Sequence, residues 1–257
     1  VDSDLVALWL GGLDGGETWW EQDADEPAYS ASLMKLPVAT AAERRDQRRE
    51  IDLDAEVPVH DDFDSVVPGE RYVLDRDDDQ DDATWDEAAA GDRVTTLREL
   101  RRRALVMSGN LATNLLLEAV GIEEVTAVVR EAGCSDRTQI VRGIDDRPAQ
   151  RAGISNVVTA RDLGRLLVHT PPAVEQVMLG QHYRDAIPAG LPAGTTIANK
   201  TGWIDDHTHD MAIVRPTGDQ GGEPFVLVVL TRLAGVSYDD GNARIAALAA
   251  QAWERRR

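Results

Sequence analysis

Strand-like and helical patterns are segregated along this chain of 257 residues, strands at the two ends and helices between, and that order constrains the fold most. Leu5 to Leu10 is apolar and β-compatible, Asp14-Gly15-Gly16 is a turn signal, and Thr18 to Gln22 is a short tryptophan-rich strand, so the start reads as a hairpin. Past Pro192-Ala193-Gly194 come three β-like runs, Thr196 to Lys200, Asp210 to Arg215 and Phe225 to Arg232, and a closing helix over Asn242 to Trp253. An α/β fold accommodates this order: one antiparallel sheet of about five strands drawn from both termini, flanked by helices, with an all-α domain inserted. The expected division is an α/β domain of residues 1–50 and 186–257 around a helical domain of residues 51–185, with the active site in the cleft between them.

Helical periodicity fills the middle. Leu97 to Val106 leads into Met107-Ser108-Gly109-Asn110, a tight connection before the apolar helix Leu111 to Val120, which Gly121 closes. Glu123 to Ala132 ends at Gly133, and Thr159 to Val168 begins on Thr159 as an N-cap. From Asp52 to Thr95 the chain is polar and acidic, with Pro58, Pro68 and Gly69, and reads as extended loop. Its run Asp75 to Asp82 reads as a solvated loop, because the glycine and terminal glutamate of a calcium-binding loop are missing.

Leu33 to Arg49 has helical content, and Pro37 fits only near its first turn, so Ser32-Leu33-Met34-Lys35 sits at a strand-to-helix junction. Residues three apart share a helix face. The first turn of a helix also offers unpaired N–H groups and a positive dipole end to a developing oxyanion. A serine hydroxyl becomes a nucleophile when a base takes its proton, and Lys35 is the nearest base, provided burial or a second cation such as Lys200 lowers its pKa. Lysine usage adds weight: of 27 Lys+Arg, only Lys35 and Lys200 are lysines. With eight serines and two lysines, chance supplies on the order of 0.06 serine-x-x-lysine matches. A chain otherwise committed to arginine keeps lysine where a deprotonatable amine is useful.

Composition narrows the partners. A net charge of −19 argues against nucleic acid and anionic membranes as partners, since both need basic patches. The single cysteine, Cys134, excludes an internal disulfide and a cysteine metal site, and reads as a buried small hydrophobe. His60, His169, His182, His207 and His209 form no zinc motif, so neither metal nor cofactor is expected. No run is apolar enough for a membrane span, and Val1 to Leu10 lacks a signal-peptide pattern.

Serine-x-x-lysine at Ser32 and Lys35, serine-x-asparagine at Ser108 and Asn110, and Lys200-Thr201-Gly202, in this order, resemble the penicillin-recognising serine enzymes, class A β-lactamases and DD-peptidases. The likeness runs almost end to end, through Ser108 to Leu117, the Thr159-Ala160-Arg161-Asp162-Leu163 helix start and His209-Asp210. It implies the β-lactamase/DD-peptidase fold. It implies that Ser108 relays a proton to the leaving nitrogen, that Asn110 orients the substrate amide, and that Lys200 and Thr201 take the substrate carboxylate. Gly202 would leave room for substrate, and the N–H groups of Ser32 and Trp203 would form the oxyanion hole. His209 lies where several β-lactamases have an arginine on the substrate carboxylate; that contact and a plain polar hairpin role are both open. Taken singly, Ser108-Gly109-Asn110 would be an interhelical turn and Lys-Thr-Gly a strand end; order and context together make them a site.

Two departures shape the expected activity. Class A enzymes carry a glutamate before the Thr159 helix that activates the deacylating water, whereas here the stretch reads Arg142-Gly143-Ile144-Asp145-Asp146-Arg147. Asp145 or Asp146 is the candidate substitute, against a loop salt bridge with Arg142 or Arg147. Gly109 also stands where class A enzymes have aspartate. The expectation is a serine hydrolase acting through a Ser32 acyl-enzyme on β-lactams or related small amides and esters, with slow β-lactam turnover. A DD-peptidase or transpeptidase, and a non-enzymatic acyl-trapping sensor, are the alternatives. The resemblance further implies a monomer in an extracytoplasmic or secreted bacterial setting.

Overall fold

The computed structural model describes residues 4–14, 16–89 and 94–257. Gly15 of the expected Asp14-to-Gly16 turn lies outside the described residues. In chain order, β1 (Leu5–Gly12), β2 (Thr18–Gln22) and β3 (Ala28–Tyr29) precede a 3-10 turn over Ala31–Met34 that runs directly into α1 (Lys35–Gln47). There follow β4 (Glu56–Pro58), β5 (Asp62–Asp64), β6 (Arg71–Val73), α2 (Asp82–Ala89) and β7 (Val94–Thr96). Next come α3 (Leu97–Val106), α4 (Asn110–Val120), α5 (Ile122–Glu131), α6 (Arg147–Arg151) and β8 (Val157–Val158). The chain closes with α7 (Ala160–Val168), α8 (Pro172–Met178), β9 (Thr196–Ile204), β10 (His207–Arg215), β11 (Phe225–Arg232) and α9 (Tyr238–Arg255).

One compact unit comprises residues 1–33, 130–138 and 157–257. Its core is the expected five-stranded antiparallel sheet, ordered β2-β1-β11-β10-β9. β11 reads Phe-Val-Leu-Val-Val-Leu without alternation because it is buried on both faces. Leu227, Val229, Ala212 and Val214 meet Ile245, Leu248 and Ala249 of α9, while α7 packs on β1 and β11 from its own buried stripe, Leu163, Leu166 and Leu167. Gly164 lets that helix close on the sheet: a Cβ there would stand 2.3 Å from the Trp9 ring. β9 pairs with β10 and forms one edge of the sheet.

The other unit comprises residues 34–129 and 139–156. Its centre is α4, buried along Leu111–Leu117, with α1 and α3 packed on it. Buried Glu43 on α1 accepts from Arg101 on α3, which ties those two helices together. The stretch from Asp52 to Thr95 is more regular than its composition implied. β4 pairs with β7, β5 with β6, and α2 fills part of the acidic segment.

The units divide the chain elsewhere than at residues 50 and 185. α1 belongs with α3 and α4 because its buried face, Leu36 to Ala42, is apolar and packs there. Residues 157–185 belong with the sheet because α7 lies on it. α9 starts at Tyr238, ahead of the expected Asn242, since Ser237 caps it and Gly241 sits inside its first turns against Thr208. No described helix is long and apolar enough to cross a membrane.

Candidate active site

In the sheet-containing unit, Ser32 sits in the 3-10 turn, half-buried among buried Ser30, Ala31 and Leu33. Ala31 has φ 43°, a left-handed conformation that costs a residue with a Cβ on the order of 1 kcal/mol or more and turns the chain sharply from β3 into the helix. Leu33 N donates to Ser30 O at 3.0 Å and closes that turn. The edge strand crosses close above it. A Cβ on Gly202 would lie 2.9 Å from Ser32 N, 3.2 Å from Leu33 N and 3.1 Å from Ala31 Cβ, so only glycine lets β9 pass the Ser32 N–H at this distance.

Lys200 is fully buried and its Nζ donates to Thr201 O at 2.7 Å. Thr201 is 3% exposed, yet its Oγ1 has no hydrogen-bond partner. A polar atom is thus withdrawn from water without repayment, a condition native interiors avoid unless a water or a ligand completes it. Trp203 stacks edge-on with Tyr183 at 4.8 Å and tilted with Tyr238 at 5.2 Å, giving this end of β9 an aromatic wall.

His209 is not a carboxylate contact. It is fully buried, its Nε2 donates to Tyr29 O at 2.9 Å, and its Nδ1 accepts from Thr231 N at 3.1 Å, so both ring nitrogens join strands. Burial and His207 press its pKa down to about 4, which leaves it neutral. Its neighbour Asp210, opposite Thr201 in the register, is pushed up to about 7 by burial while Asn199, Ile187 N–H and Lys200 pull the other way.

In the helical unit, Lys35 opens α1 and is fully buried. Its Nζ donates to Ser108 O, to Asn110 Oδ1 at 2.8 Å and to Ser108 Oγ at 3.4 Å. Ser108 has φ 63°, so the α3–α4 connection turns its serine back towards the lysine. Burial drags the Lys35 pKa from 10.5 to about 7, against the upward pull of Asp79, Asp145 and Asp81. Asn110 is held from both ends, because its Nδ2 donates to Asp78 O at 3.0 Å.

Asp145 and Asp146 differ in kind. Asp146 is fully buried and caps α6: Oδ1 accepts from Ala149 N at 3.0 Å and Ser65 Oγ at 2.7 Å, and Oδ2 from Val66 N at 3.1 Å. Asp145 is half-buried, has φ 54°, and its pKa is raised by burial and by Asp78, with Arg147, Arg142 and Lys35 opposing. Its loop is held by Asn114, which donates to Ile144 O at 3.0 Å and accepts from Ile144 N at 2.8 Å. Arg147 lies 3.8 Å from Asp78, and Arg142 donates to Ile154 O and Gly143 O.

Asp79 and Asp81, read from sequence as solvated loop, stand instead at the Ser108-Gly109-Asn110 connection, Asp79 accepting from Asn110 N at 2.7 Å. Tyr183 and Tyr238 had no motif to mark them. Cys134 is half-buried, and burial pushes its thiol up to about 12.

A family model described as "Beta-lactamase enzyme family" matches residues 3–255. Among solved structures, L2 complexed with relebactam superposes with a TM-score of 0.80 at 22% identity, covering 98% of this chain and 91% of that one. A beta lactamase from Xanthomonas campestris gives 0.79 at 21% identity, with 97% and 91% covered, and PBP-A gives 0.71 at 19% identity, with 99% and 90% covered. No curated protein sequence matches the chain. At these identities the structures speak for the fold, and the family match for the lineage.

Proposed function

Because the chain belongs to the beta-lactamase enzyme family and is a serine hydrolase, we propose that it forms an acyl-enzyme on Ser32 with β-lactams or related amides and esters, and releases the acyl group slowly. The observation that carries this reading is Lys35: an amine fully buried, one helical turn after Ser32 in sequence, with its pKa brought to about 7. At neutral pH a large share of such an amine is uncharged and able to take the Ser32 proton. The Ser32 oxygen then attacks the carbonyl carbon, the N–H groups of Ser32 and Trp203 receive the oxyanion, and Ser108 passes the lysine's proton to the leaving nitrogen. Thr201 Oγ1, buried and unpartnered, supports a carboxylate subsite with Lys200.

Deacylation is assigned to Asp145. Asp146 is spent on α6, Ser65 and Val66, whereas Asp145 shares an electrostatic environment with Lys35. A carboxylate with a raised pKa binds its proton more readily, but it sits on a strained turn and is one methylene shorter than the family's glutamate, which supports slow turnover.

A second reading, a DD-peptidase in an extracytoplasmic setting, is favoured by the edge position of β9, along which an extended peptide can align as a further strand. Intact-protein mass spectrometry after exposure to a penicillin tests the first reading. One acyl adduct on the native chain and none on Ser32→Ala is expected. An adduct persisting in Ser32→Ala, or none with any β-lactam or D-Ala-D-Ala peptide, refutes it. Release of D-alanine from peptidoglycan peptides selects the second reading, and a burst of one equivalent without turnover marks an acyl trap.

A further inference from the structure

We propose that Asp79 is a positioning residue of the acylation machinery, its carboxylate clamping the Ser108-Gly109-Asn110 connection onto Lys35. The inference rests on the reading of Ser32 as an acylated nucleophile and Lys35 as its base.

Five N–H groups converge on this one carboxylate: Gln80 N at 2.7 Å, Asp81 N at 3.2 Å, Trp85 Nε1 at 2.9 Å, Asn110 N at 2.7 Å and Leu111 N at 2.8 Å. An acceptor-only group is what satisfies such a set. The last two are N–H groups that open α4, and Gly109, its N-cap, makes no side-chain cap bond. Asp79 therefore caps α4 from 31 residues upstream. Asp81 closes the same gap from the side. A Cβ at position 109 would come 2.9 Å from Asp81 Cβ and 3.2 Å from its Oδ2, and that carboxylate is held by Thr84 Oγ1 at 2.7 Å. The glycine is thus matched to an acid supplied by the preceding loop.

The clamp reaches the base directly. Lys35 Nζ donates to Ser108 O, Ser108 Oγ and Asn110 Oδ1, all on the segment that Asp79 fixes. The groups facing Lys35 in this unit are Asp79 and Asp81 from the loop before α2, Ser108 and Asn110 from the α3–α4 connection, and Asp145, flanked by Arg142 and Arg147, from the loop before α6. Asp79 is the strongest of the charges that favour protonated Lys35. Removing it lets burial lower the lysine further, so the acid limb of acylation moves to lower pH while the lost clamp lowers the plateau.

The chain's two lysines make the test direct, since protein labelled with 13C at the lysine ε-carbon gives two signals, and the one missing in Lys35→Arg is Lys35. In the native chain its titration midpoint is expected near 7, and in Asp79→Asn lower by about one pH unit, with the plateau rate of Ser32 acylation by a penicillin down at least about tenfold. Asp79→Glu keeps the charge and misplaces the clamp, so its midpoint stays while its plateau falls. An unmoved midpoint in Asp79→Asn overturns the proposal, as does an unchanged plateau in Asp79→Glu, which also decides the case if Asp79→Asn does not fold. Absence of any adduct on the native chain with the midpoint shift intact defeats the Ser32 reading and leaves the clamp standing.

Discussion

Lys35 and Lys200 are both without solvent exposure, so this chain places its only lysines where arginine could not shed a proton. Lys35→Arg is accordingly expected to abolish Ser32 acylation while leaving the fold, and the native rate is expected to climb through pH 7 and level off above it, both read by stopped-flow acylation. At Gly202 the expectation follows from distance. An alanine methyl would come 2.9 Å from Ser32 N, pushing β9 and its Trp203 N–H away from the Ser32 N–H, and acylation should drop about 10²–10³-fold with little change in melting temperature.

At the scale of elements, α6 and the loop before it decide what Asp145 can do. Asp146 joins the α6 N-terminus to Ser65 and Val66, so Asp146→Ala is expected to cost about 2 kcal/mol of stability and to disturb deacylation through the loop, with acylation kept. Asp145→Asn should leave stability nearly unchanged and slow deacylation alone, so the adduct lives longer. Chemical denaturation together with adduct lifetime separates the two. A lifetime unaffected by Asp145→Asn would remove it as the water-activating base. β10 carries the parallel lesson: the sequence leaves His209 open between a substrate contact and a polar hairpin role, and its two nitrogens bond Tyr29 O and Thr231 N inside the sheet.

Across the whole molecule, two buried charges set opposite pH slopes of stability. The folded pKa of Lys35, about 7, lies below its ordinary 10.5, so between them the unfolded chain binds more protons and stability rises with pH. The folded pKa of Asp210, about 7, lies above its ordinary 3.8, so across that window the folded chain binds more protons and stability falls as pH rises. Urea unfolding against pH should lose the rise above 7 in Lys35→Met and the fall below 7 in Asp210→Asn. The net charge of −19 adds a uniform self-repulsion that salt screens, and it slows the approach of anionic substrates, so acylation at low substrate concentration should quicken as ionic strength rises.

The hairpin, the three returning strands and the central helices were legible in sequence because each is a local pattern of apolar spacing and turn residues. Ser32, Lys35, Ser108 and Lys200 stood out as candidates because the chain's two lysines and two of its serines came in a fixed order. Tertiary structure alone decided the rest. Whether an aspartate caps a helix far along the chain, as Asp79 does, or is left half-buried on a strained turn, as Asp145 is, depends on which N–H groups approach from distant segments. An acidic run has the same composition in water as against a helix end. Burial and long-range hydrogen bonds are sums over the folded chain, and no window of sequence contains them.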